Sequence, residues 1–582
     1  MTVFPTRSRR TSRASIILAL VLTIEPLGCA SRTDARTTER PADQAALSRL
    51  MSDPGNWASY GRDYSNQRFS PLSQITSANV AGLEVAWHYK TGIVQSFETS
   101  PLVVGGTMYL TTAKNHVVAL DAATGAKKWE YAHPLGKTVM CCGPNNRGVA
   151  YYAGRVYMGT LDAQLVALDT ADGHVAWTVQ VADNSVGYSI THAPVAVDGL
   201  IVVGLAGAEY GIRGAVTAYD AATGAQRWRW HTIPSPSEGG WWGNWSTTDP
   251  FGTPLNRNVT QEKRDSAKYA DAWEHGGGSV WQTPAVDTAR HLLIFTVGNA
   301  SPDIDGYVRP GDNLYTNSIC ALDIATGRLV WHMQEVPHDV WDYDAISPVI
   351  LADLRDSTGA TVPVAAQAGK TGWVYVVDRR NGRPIRRTDA FVPQQGIFSL
   401  PTRQGTRVLP GGNGGSEWSP AAYSPQTGYM YVLGLNEHDI YKLRPETYRA
   451  SASYLTGAWY SAEPKKDNGT FTAIDLATGH IAWQDTMPDP MIGGALTTAG
   501  GLVFVGTKDK RFIAFDARTG KSLWQFHAAA GVNAPPVTYT ERGRQYVAVA
   551  SGGNFQENAP RGDDVWVFAL PIAATMHQQP TP

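Results

Sequence analysis

The sequence predicts an all-β fold, an eight-bladed β-propeller, from a glycine-rich composition, a recurring turn motif and complementary strand fragments at the two ends. Of 582 residues, 58 are Gly and 19 are Trp, and many glycines suit tight turns between short strands. With 43% hydrophobic and 17% charged residues, the composition is that of a core-forming chain. The net charge of -2 gives no basis for binding nucleic acid or an anionic membrane surface.

The recurring motif is Asp-x-x-Thr-Gly-x-x-x-Trp, which follows a short apolar strand. Each copy predicts strand, tight turn and strand, because Gly suits a turn position with positive φ and Asp can bond turn amides. The Trp is expected to dock between neighbouring sheets. Regular repeats of roughly 40–50 residues are typical of radially arranged sheets. The copies begin at Asp121, Asp169, Asp220, Asp323, Asp475 and Asp516, with a degenerate copy at Asp378 in which Arg386 replaces the Trp.

An eighth blade is predicted from the two ends of the chain. Trp566–Leu570 resembles the strand before the Asp, and Leu83–Trp87 resembles the strand after the turn. Joining them closes the ring and removes exposed sheet edges. Long insertions are expected near 231–277 and 436–468, where they would cap a site on the rigid scaffold.

The first 30 residues are predicted to be an export signal. Arg7 to Arg13 form a basic region, and the apolar run of residues 16–24 is too short to span a bilayer. Residues 27–30 resemble a lipoprotein cleavage box, so lipidation of Cys29 and ordinary cleavage nearby both remain open. Residues 31–50 are predicted as a polar tether, 51–575 as the propeller and 576–582 as a tail.

The four cysteines do not form a Cys-x-x-Cys-His motif, which predicts that the chain carries no covalent haem. Cys141 and Cys142 are adjacent. They are either a strained disulfide at a functional site or two buried reduced thiols. The repeats alone favour a non-enzymatic interaction scaffold, and the residues that follow reverse that preference.

Two segments resemble those of PQQ-dependent (pyrroloquinoline quinone) methanol and alcohol dehydrogenases. They are Cys141-Cys142-Gly-Pro-Asn-Asn-Arg147 and Gly276-Gly-Gly-Ser279-Val-Trp281. The resemblance extends from about Trp57 to Pro571. It implies that a Cys141–Cys142 disulfide lies on one face of the planar quinone and Trp281 on the other, in a periplasmic enzyme.

The same resemblance implies a metal site and a catalytic base. Glu209 and Asn299 match ligand positions, and their oxygens suit a hard cation. Asp342 matches the catalytic base and is also a metal ligand. Asp344 stands where lanthanide-dependent relatives carry Asp, so a lanthanide is expected in preference to calcium, since a trivalent ion favours another carboxylate. An outward-turned Asp344 bonded to a loop amide is the alternative.

Further polar contacts to the cofactor are implied for a set of hydroxyl, acidic and cationic side chains. PQQ carries three carboxylates, which such donors can bind. The set comprises Glu98, Arg147, Thr191, Ser279 and Lys370. Glu417 departs from the family pattern, because many relatives carry a neutral residue there.

The function implied is oxidation of a small alcohol to the aldehyde by hydride transfer to metal-bound PQQ, with Asp342 as base. Electrons would pass to a separate acceptor, a cytochrome c. One alternative is a PQQ-dependent sugar or polyol dehydrogenase. Glu209 and the lack of a multi-helix anchor argue against the membrane-bound glucose dehydrogenases of that group. The other is an envelope scaffold, which has no need for Cys141, Cys142, Glu209, Asn299 and Asp342 together.

Overall fold

The computed structural model describes residues 35–356 and 358–572, with side chains from residue 42. The predicted export signal with Cys29, and the tail at 576–582, lie outside the described residues. No helix in the described part of the chain is long and apolar enough to cross a membrane.

The fold is a propeller-type all-β architecture of antiparallel sheets, numbered here in chain order. Eight sheets of four or five strands and one small three-stranded sheet are present in the described residues. Sheet 1 contains Leu102–Val104, Thr107–Thr111, His116–Asp121 and Lys127–Ala132, and sheet 2 contains Ala150–Tyr152, Arg155–Gly159, Gln164–Asp169 and Val175–Gln180. Sheet 3 contains Val195–Val197, Leu200–Gly204, Ala215–Asp220 and Gln226–His231, and sheet 4 contains Ala285–Asp287, Leu292–Val297, Ser318–Asp323 and Leu329–Gln334. Sheet 5 contains Ile350–Arg355, Thr361–Ala368, Val374–Asp378 and Pro384–Arg387, and sheet 6 contains Ala422–Ser424, Tyr429–Asn436, Asn468–Asp475 and Ile481–Met487. Sheet 7 contains Phe69–Ser70, Ala495–Thr498, Leu502–Gly506, Arg511–Asp516 and Ser522–His527, and sheet 8 contains Glu84–Gln95, Val537–Glu541, Arg544–Ser551 and Gly562–Ala569.

The repeated turns join the third and fourth strands of a sheet and contact the tryptophan of the sheet before. Gly173 has a φ of +77°, and a Cβ built there would lie 2.5 Å from a ring carbon of Trp129. The Trp129 indole N–H donates to the Thr170 carbonyl at 2.9 Å. Only glycine leaves room for this ring at a left-handed position, so the motif couples each turn to its neighbour.

Strands from both ends of the chain share sheet 8. Glu84–Gln95 pairs antiparallel with Gly562–Ala569, with Glu84 opposite Ala569. The pairing buries an edge that each segment would otherwise expose.

The predicted polar tether is wrong for most of its length, because Ala35–Ser52 forms an α-helix, α1. Leu47 and Met51, four residues apart on one helical face, are buried in the core. Gln44 accepts a hydrogen bond from the Asp198 backbone N–H at 2.8 Å. The segment is polar in composition, but its few apolar side chains share one face, and that face anchors it.

Residues 55–70, called the axial segment, lie where the first strands of the sheets converge. The Trp57 N–H donates to Val103 O at 2.8 Å, the Tyr64 carbonyl accepts from Val286 N at 2.9 Å, and the Ser65 carbonyl accepts from Leu351 N at 2.8 Å. Further contacts reach Ala196 and Tyr423 in the first strands of sheets 3 and 6. They also reach Thr497 and Thr540 in Ala495–Thr498 and Val537–Glu541, which occupy the corresponding place in sheets 7 and 8. The segment therefore ties together seven of the eight sheets.

The two predicted insertions have different structures. Residues 231–277 contain the short helix α2, Val259–Asp265, and 3-10 turns at Pro236–Glu238, Ser266–Tyr269 and Ala272–His275. Residues 436–468 contribute Asp439–Leu443 and Gly457–Ser461, which pair with Thr406–Val408 in the small sheet. The other 3-10 turns are Val80–Gly82, Ala113–Asn115, Asn184–Val186, Ala208–Tyr210 and Gly306–Val308.

Candidate active site

The predicted site residues all come from the same kind of connection. In an antiparallel four-stranded sheet, the link from strand two to strand three and the link to the next sheet lie at the same end. Glu209, Asn299 and Lys370 follow second strands, whereas Arg147 and Asp342 precede first strands. The topology therefore gathers them at the end opposite the Asp-x-x-Thr-Gly turns.

The adjacent cysteines form a disulfide at a cavity of about 370 Å³. Trp281 lines the same cavity, together with Glu209, Asp342, Asp344 and Lys370. A smaller neighbouring cavity is lined by both cysteines, Trp281, Arg147, Thr191, Ser279 and Glu209. The structure thus brings the two expected ring-stacking elements and the polar set to one place.

Arg147 is the buried cation of the smaller cavity. Its guanidinium forms an ion pair of 2.8 Å with Glu98, whose other oxygen accepts from Asn554 at 2.6 Å. Two of its nitrogens, Nε and Nη1, have no hydrogen-bond partner, nor does the Thr191 hydroxyl. Buried donors without partners are costly, so this wall suits an anionic ligand.

The larger cavity concentrates carboxylates around one lysine. The Lys370 Nζ lies 3.0 Å from Asp342 Oδ2, 3.6 Å from Asp344 Oδ2 and 3.4 Å from Glu417 Oε1. Burial alone would lower the pKa of Lys370, but these carboxylates raise it well above its ordinary value. One ammonium cannot balance the negative charge of all these carboxylates, and the excess charge favours binding of a multivalent cation.

Asp344 does not turn outward. It is buried, and its Oδ1 accepts a hydrogen bond from the backbone N–H of Asn299. Burial and the nearby acids Glu417 and Glu209 raise its pKa to about 7, against the opposing effect of Lys370. Of the alternative predicted for Asp344, the bond to a loop amide is present, but the outward orientation is not, because the side chain lines the cavity.

Asp342 is positioned by its neighbour Asp339. The Asp339 carboxylate is fully buried and accepts from the backbone N–H groups of Trp341 and Tyr343 and from Asn317, each at 3.0 Å. These bonds hold the chain on both sides of Asp342, which has a φ of +61°. A non-glycine residue in this conformation persists where its surroundings hold it.

Burial raises the pKa of Asp342 well above its ordinary value, and Asp344 adds to the rise while Lys370 opposes it. Burial likewise raises the pKa of Glu209. The sequence led us to expect an ionised base beside a cation. Burial shifts Asp342 toward the protonated acid, and a cation bound beside it would shift the carboxyl back toward the ionised form.

The residues present fit both a planar anionic cofactor and a cation. Unpartnered Arg147 and Thr191 atoms face the first, and excess carboxylate faces the second. The sulfurs of Cys141 and Cys142 and an oxygen of Glu209 lie within 4.8 Å of one another, but the two bonded sulfurs are not free to bind metal. Within the described residues, no equally close set of ligand atoms joins Glu209, Asp342 and Asp344.

Several cavity residues were missed by sequence reasoning. Asp303 lies in the loop after Asn299, Trp459 comes from the insertion at 436–468, and Phe555 and Gln556 come from sheet 8. Gln556 donates to Glu417 at 3.0 Å. The available signal for Asp303 was its place four residues beyond Asn299. The others carry no motif, and only the folding of distant segments brings them to the cavity.

A propeller with a disulfide of adjacent cysteines, a tryptophan and a carboxylate cluster around one cavity defines the class of quinone-dependent oxidoreductases. A family model described as "PQQ: Glucose/ethanol/alcohol dehydrogenase, beta-propeller domain" matches residues 57–397 and 386–547. The chain belongs to this PQQ-dependent alcohol dehydrogenase family. The prediction of an oxidoreductase acting on alcohols is confirmed at this level.

Similar proteins and structures cover most of the chain. Quinohemoprotein alcohol dehydrogenase ADH-IIG of Pseudomonas putida is 36% identical over 94% of this chain and 79% of its own length. Quinoprotein alcohol dehydrogenase PedH of the same species is 34% identical over 91% of this chain and 94% of its own. A solved structure of a europium-containing methanol dehydrogenase is 33% identical, with a TM-score of 0.80 over 90% of this chain and 100% of that one.

Proposed function

We propose that the protein oxidises an alcohol to the aldehyde with PQQ bound between the Cys141–Cys142 disulfide and Trp281. The observation that carries the proposal is that the disulfide, Trp281 and Asp342 line one cavity. Arg147, with two unpartnered nitrogens, would bind a PQQ carboxylate, and Glu98, Thr191, Ser279 and Lys370 would complete the polar contacts.

Bound PQQ beside a metal ion would supply the hydride acceptor for the alcohol carbon. Asp342 takes the hydroxyl proton, so one proton and one hydride leave the substrate and the carbonyl forms. Asp339 holds the backbone around this base. Lys370, 3.0 Å from Asp342, favours its ionised form and would contribute to keeping the base ready.

The metal would be held by Glu209, Asn299, Asp342 and Asp344, with a lanthanide favoured over calcium. Buried Asp344 adds a third carboxylate to the set, which a trivalent ion compensates better than a divalent one. The similarity to a europium-containing methanol dehydrogenase supports this choice. Loading protein and PQQ with calcium or lanthanum, in the parent and in Asp344→Ala, tests it. Full activity with calcium, no gain from lanthanum and an unaffected variant would refute the lanthanide.

We also infer that the eight sheets are the blades of one closed ring, with the tryptophans docked between them. The protein would work in the periplasm, with lipidation of Cys29 or simple cleavage after export. Because the cysteines form no Cys-x-x-Cys-His motif, electrons would leave to a separate cytochrome c rather than to a haem of this chain.

The deciding experiment is dye-linked oxidation of a panel of alcohols after reconstitution with PQQ and either calcium or lanthanum. We expect aldehyde formation that requires both PQQ and metal. PQQ binding is followed separately by its absorbance. Bound PQQ without oxidation of any alcohol, sugar or polyol would favour the scaffold, and oxidation of sugars alone would favour the sugar-oxidising alternative.

A further inference from the structure

Asp303 is a buried acid that the proposed reaction does not use. It lies in the loop between the second and third strands of sheet 4, is 1% exposed and lines the larger cavity. Neither of its carboxylate oxygens has a hydrogen-bond partner in the described structure. A buried carboxylate without partners is costly, so its natural partner is a group that enters the cavity.

The cations of this region already have partners. Lys370 contacts Asp342, Asp344 and Glu417. Arg309 uses its guanidinium on other acceptors: Nε donates to Pro302 O at 2.8 Å, Nη1 to Asn313 Oδ1 at 2.6 Å and Nη2 to the Asp303 carbonyl at 3.1 Å. The Asp303 side chain is therefore left to bind a cation from outside the protein.

The cavity that Asp303 lines also has an apolar and aromatic lining. The Ile304 N–H donates to the Leu455 carbonyl at 3.1 Å, which joins the Asp303 loop to the insertion that carries Trp459. Leu455, Trp459, Tyr210 and Phe555 all line the cavity. Aromatic rings attract alkylated ammonium groups through their π faces, and such rings combined with a carboxylate make a site for that chemistry.

We propose that the substrate alcohol carries an ammonium group, which Asp303 binds while the hydroxyl faces Asp342. This substrate class rests on the proposed alcohol oxidation and narrows it. Because the proposed metal and Lys370 compensate the other acids of the cavity, the unpartnered Asp303 carboxylate is the group that favours a cationic substrate over a neutral one. The aromatic residues of the lining favour an alkylated ammonium over a bare one. Asp303 would set specificity without taking part in proton or hydride transfer.

The test uses the holoprotein and two alcohols of nearly the same shape, choline and 3,3-dimethyl-1-butanol, which differ by the positive charge. We expect kcat/KM for choline to exceed that for the neutral alcohol by about 10-fold or more. Asp303→Asn should reduce kcat/KM for choline about 10- to 100-fold, because the ion pair between the carboxylate and the quaternary ammonium is lost. The neutral alcohol should change less than about 3-fold.

The matched control is Asp305→Asn. Asp305 lies in the same loop, and its carboxylate accepts from Tyr307 N at 3.0 Å as an Asn oxygen also can. This variant should leave the choline preference of the parent unchanged. A second readout is calorimetric binding of tetramethylammonium, which carries the charge but no hydroxyl, to the parent holoprotein and to Asp303→Asn.

The outcomes separate the two proposals. Oxidation of both alcohols at equal efficiency, with no tetramethylammonium binding, refutes the cationic substrate and leaves alcohol oxidation standing. Oxidation of neither alcohol nor any other, with PQQ bound, refutes the proposed function and this inference with it. Tb³⁺ binding can be followed by its luminescence. If Asp303→Asn no longer binds Tb³⁺, Asp303 is a metal ligand and the inference is overturned.

Discussion

At the residue scale, Asp342 combines a left-handed backbone, a lysine at 3.0 Å and a partly exposed carboxylate that lines the cavity. We predict that Asp342→Asn lowers kcat about 10²- to 10⁴-fold, because the amide keeps the shape but cannot take a proton. PQQ absorbance of the reconstituted protein should be retained. Near-parental turnover would mean that another group is the base, and Asp305→Asn serves as the control for a neutralised acid nearby.

His192 provides a pH prediction of known sign. It is fully buried, and burial, with a contribution from Arg147, lowers its pKa to about 3. In the unfolded chain His192 binds a proton below about pH 6.5, whereas in the folded protein it stays neutral down to about pH 3. Stability should therefore fall by up to about 1.4 kcal/mol per pH unit as the pH drops from 6.5 toward 3.

The measurement is the urea midpoint of the cofactor-free protein at pH 7 and at pH 5. His192→Gln, which does not titrate, should lose less stability over this interval than the parent does. Equal losses in both proteins would show that His192 does not carry the effect and that other groups dominate acid unfolding.

Sequence reasoning identified those site residues that stand in recognisable local motifs. Cys141, Trp281 and Asp342 could be named because each lies in a distinctive run, and the cavity lining contains all three. Asp303 and Trp459 could not, because their meaning comes from a cavity wall that distant segments build together. Asp344 lines the same cavity, yet its bond to the Asn299 amide depends on backbone geometry that no pattern encodes.

At the scale of the structural element, the repeated turn couples two sheets through one glycine. We predict that Gly173→Ala destabilises the protein by about 2–4 kcal/mol, since it combines left-handed backbone strain with a clash against Trp129. Gly154→Ala is the matched control in the same sheet. Gly154 has a similar φ of +74° but no atom within 4 Å of the added Cβ, so this substitution should cost only about 1 kcal/mol. Urea midpoints that are equal for the two variants would contradict the docking role of Trp129.

The strands and turns were readable from the sequence because period, turn residues and apolar runs agree locally. The helix α1 and the axial segment were not. In α1, only a few apolar residues such as Leu47 and Met51 mark the buried face. The axial segment has no periodicity of its own, because its order comes from hydrogen bonds to the first strands of many sheets.

At the scale of the whole molecule, the axial segment contacts seven sheets and also lies next to the site. Arg68 of this segment donates to Ser100 Oγ at 3.2 Å, and the Ser100 N–H donates to the carbonyl of Arg147 at 3.1 Å. The segment therefore ties the sheets together beside a residue that lines the smaller cavity.

Arg68 links the axial segment to several sheets at once. It is fully buried, and it donates to Tyr60 O at 2.7 Å, Ala495 O at 2.9 Å, Pro536 O at 2.7 Å and Ser100 Oγ at 3.2 Å. These acceptors belong to the axial segment itself and to the starts of sheets 7, 8 and 1. Burial lowers its pKa to about 10, so it stays charged at neutral pH and binds neutral carbonyls only through its fork of N–H groups.

We predict that Arg68→Met lowers the free energy of unfolding by about 3–5 kcal/mol, because it leaves several buried carbonyls without donors. Arg68→Lys should recover less than half of that loss, since one ammonium cannot reach acceptors spread across three sheets. The control is Arg227→Met, whose side chain is 47% exposed and pairs with Asp220 at 3.4 Å; it should change stability by less than about 1 kcal/mol. The measurement is urea unfolding of the cofactor-free protein followed by tryptophan fluorescence. If Arg68→Met and Arg227→Met unfold at the same urea concentration, the backbone hydrogen bonds hold the axial segment and the Arg68 side chain does not stabilise it.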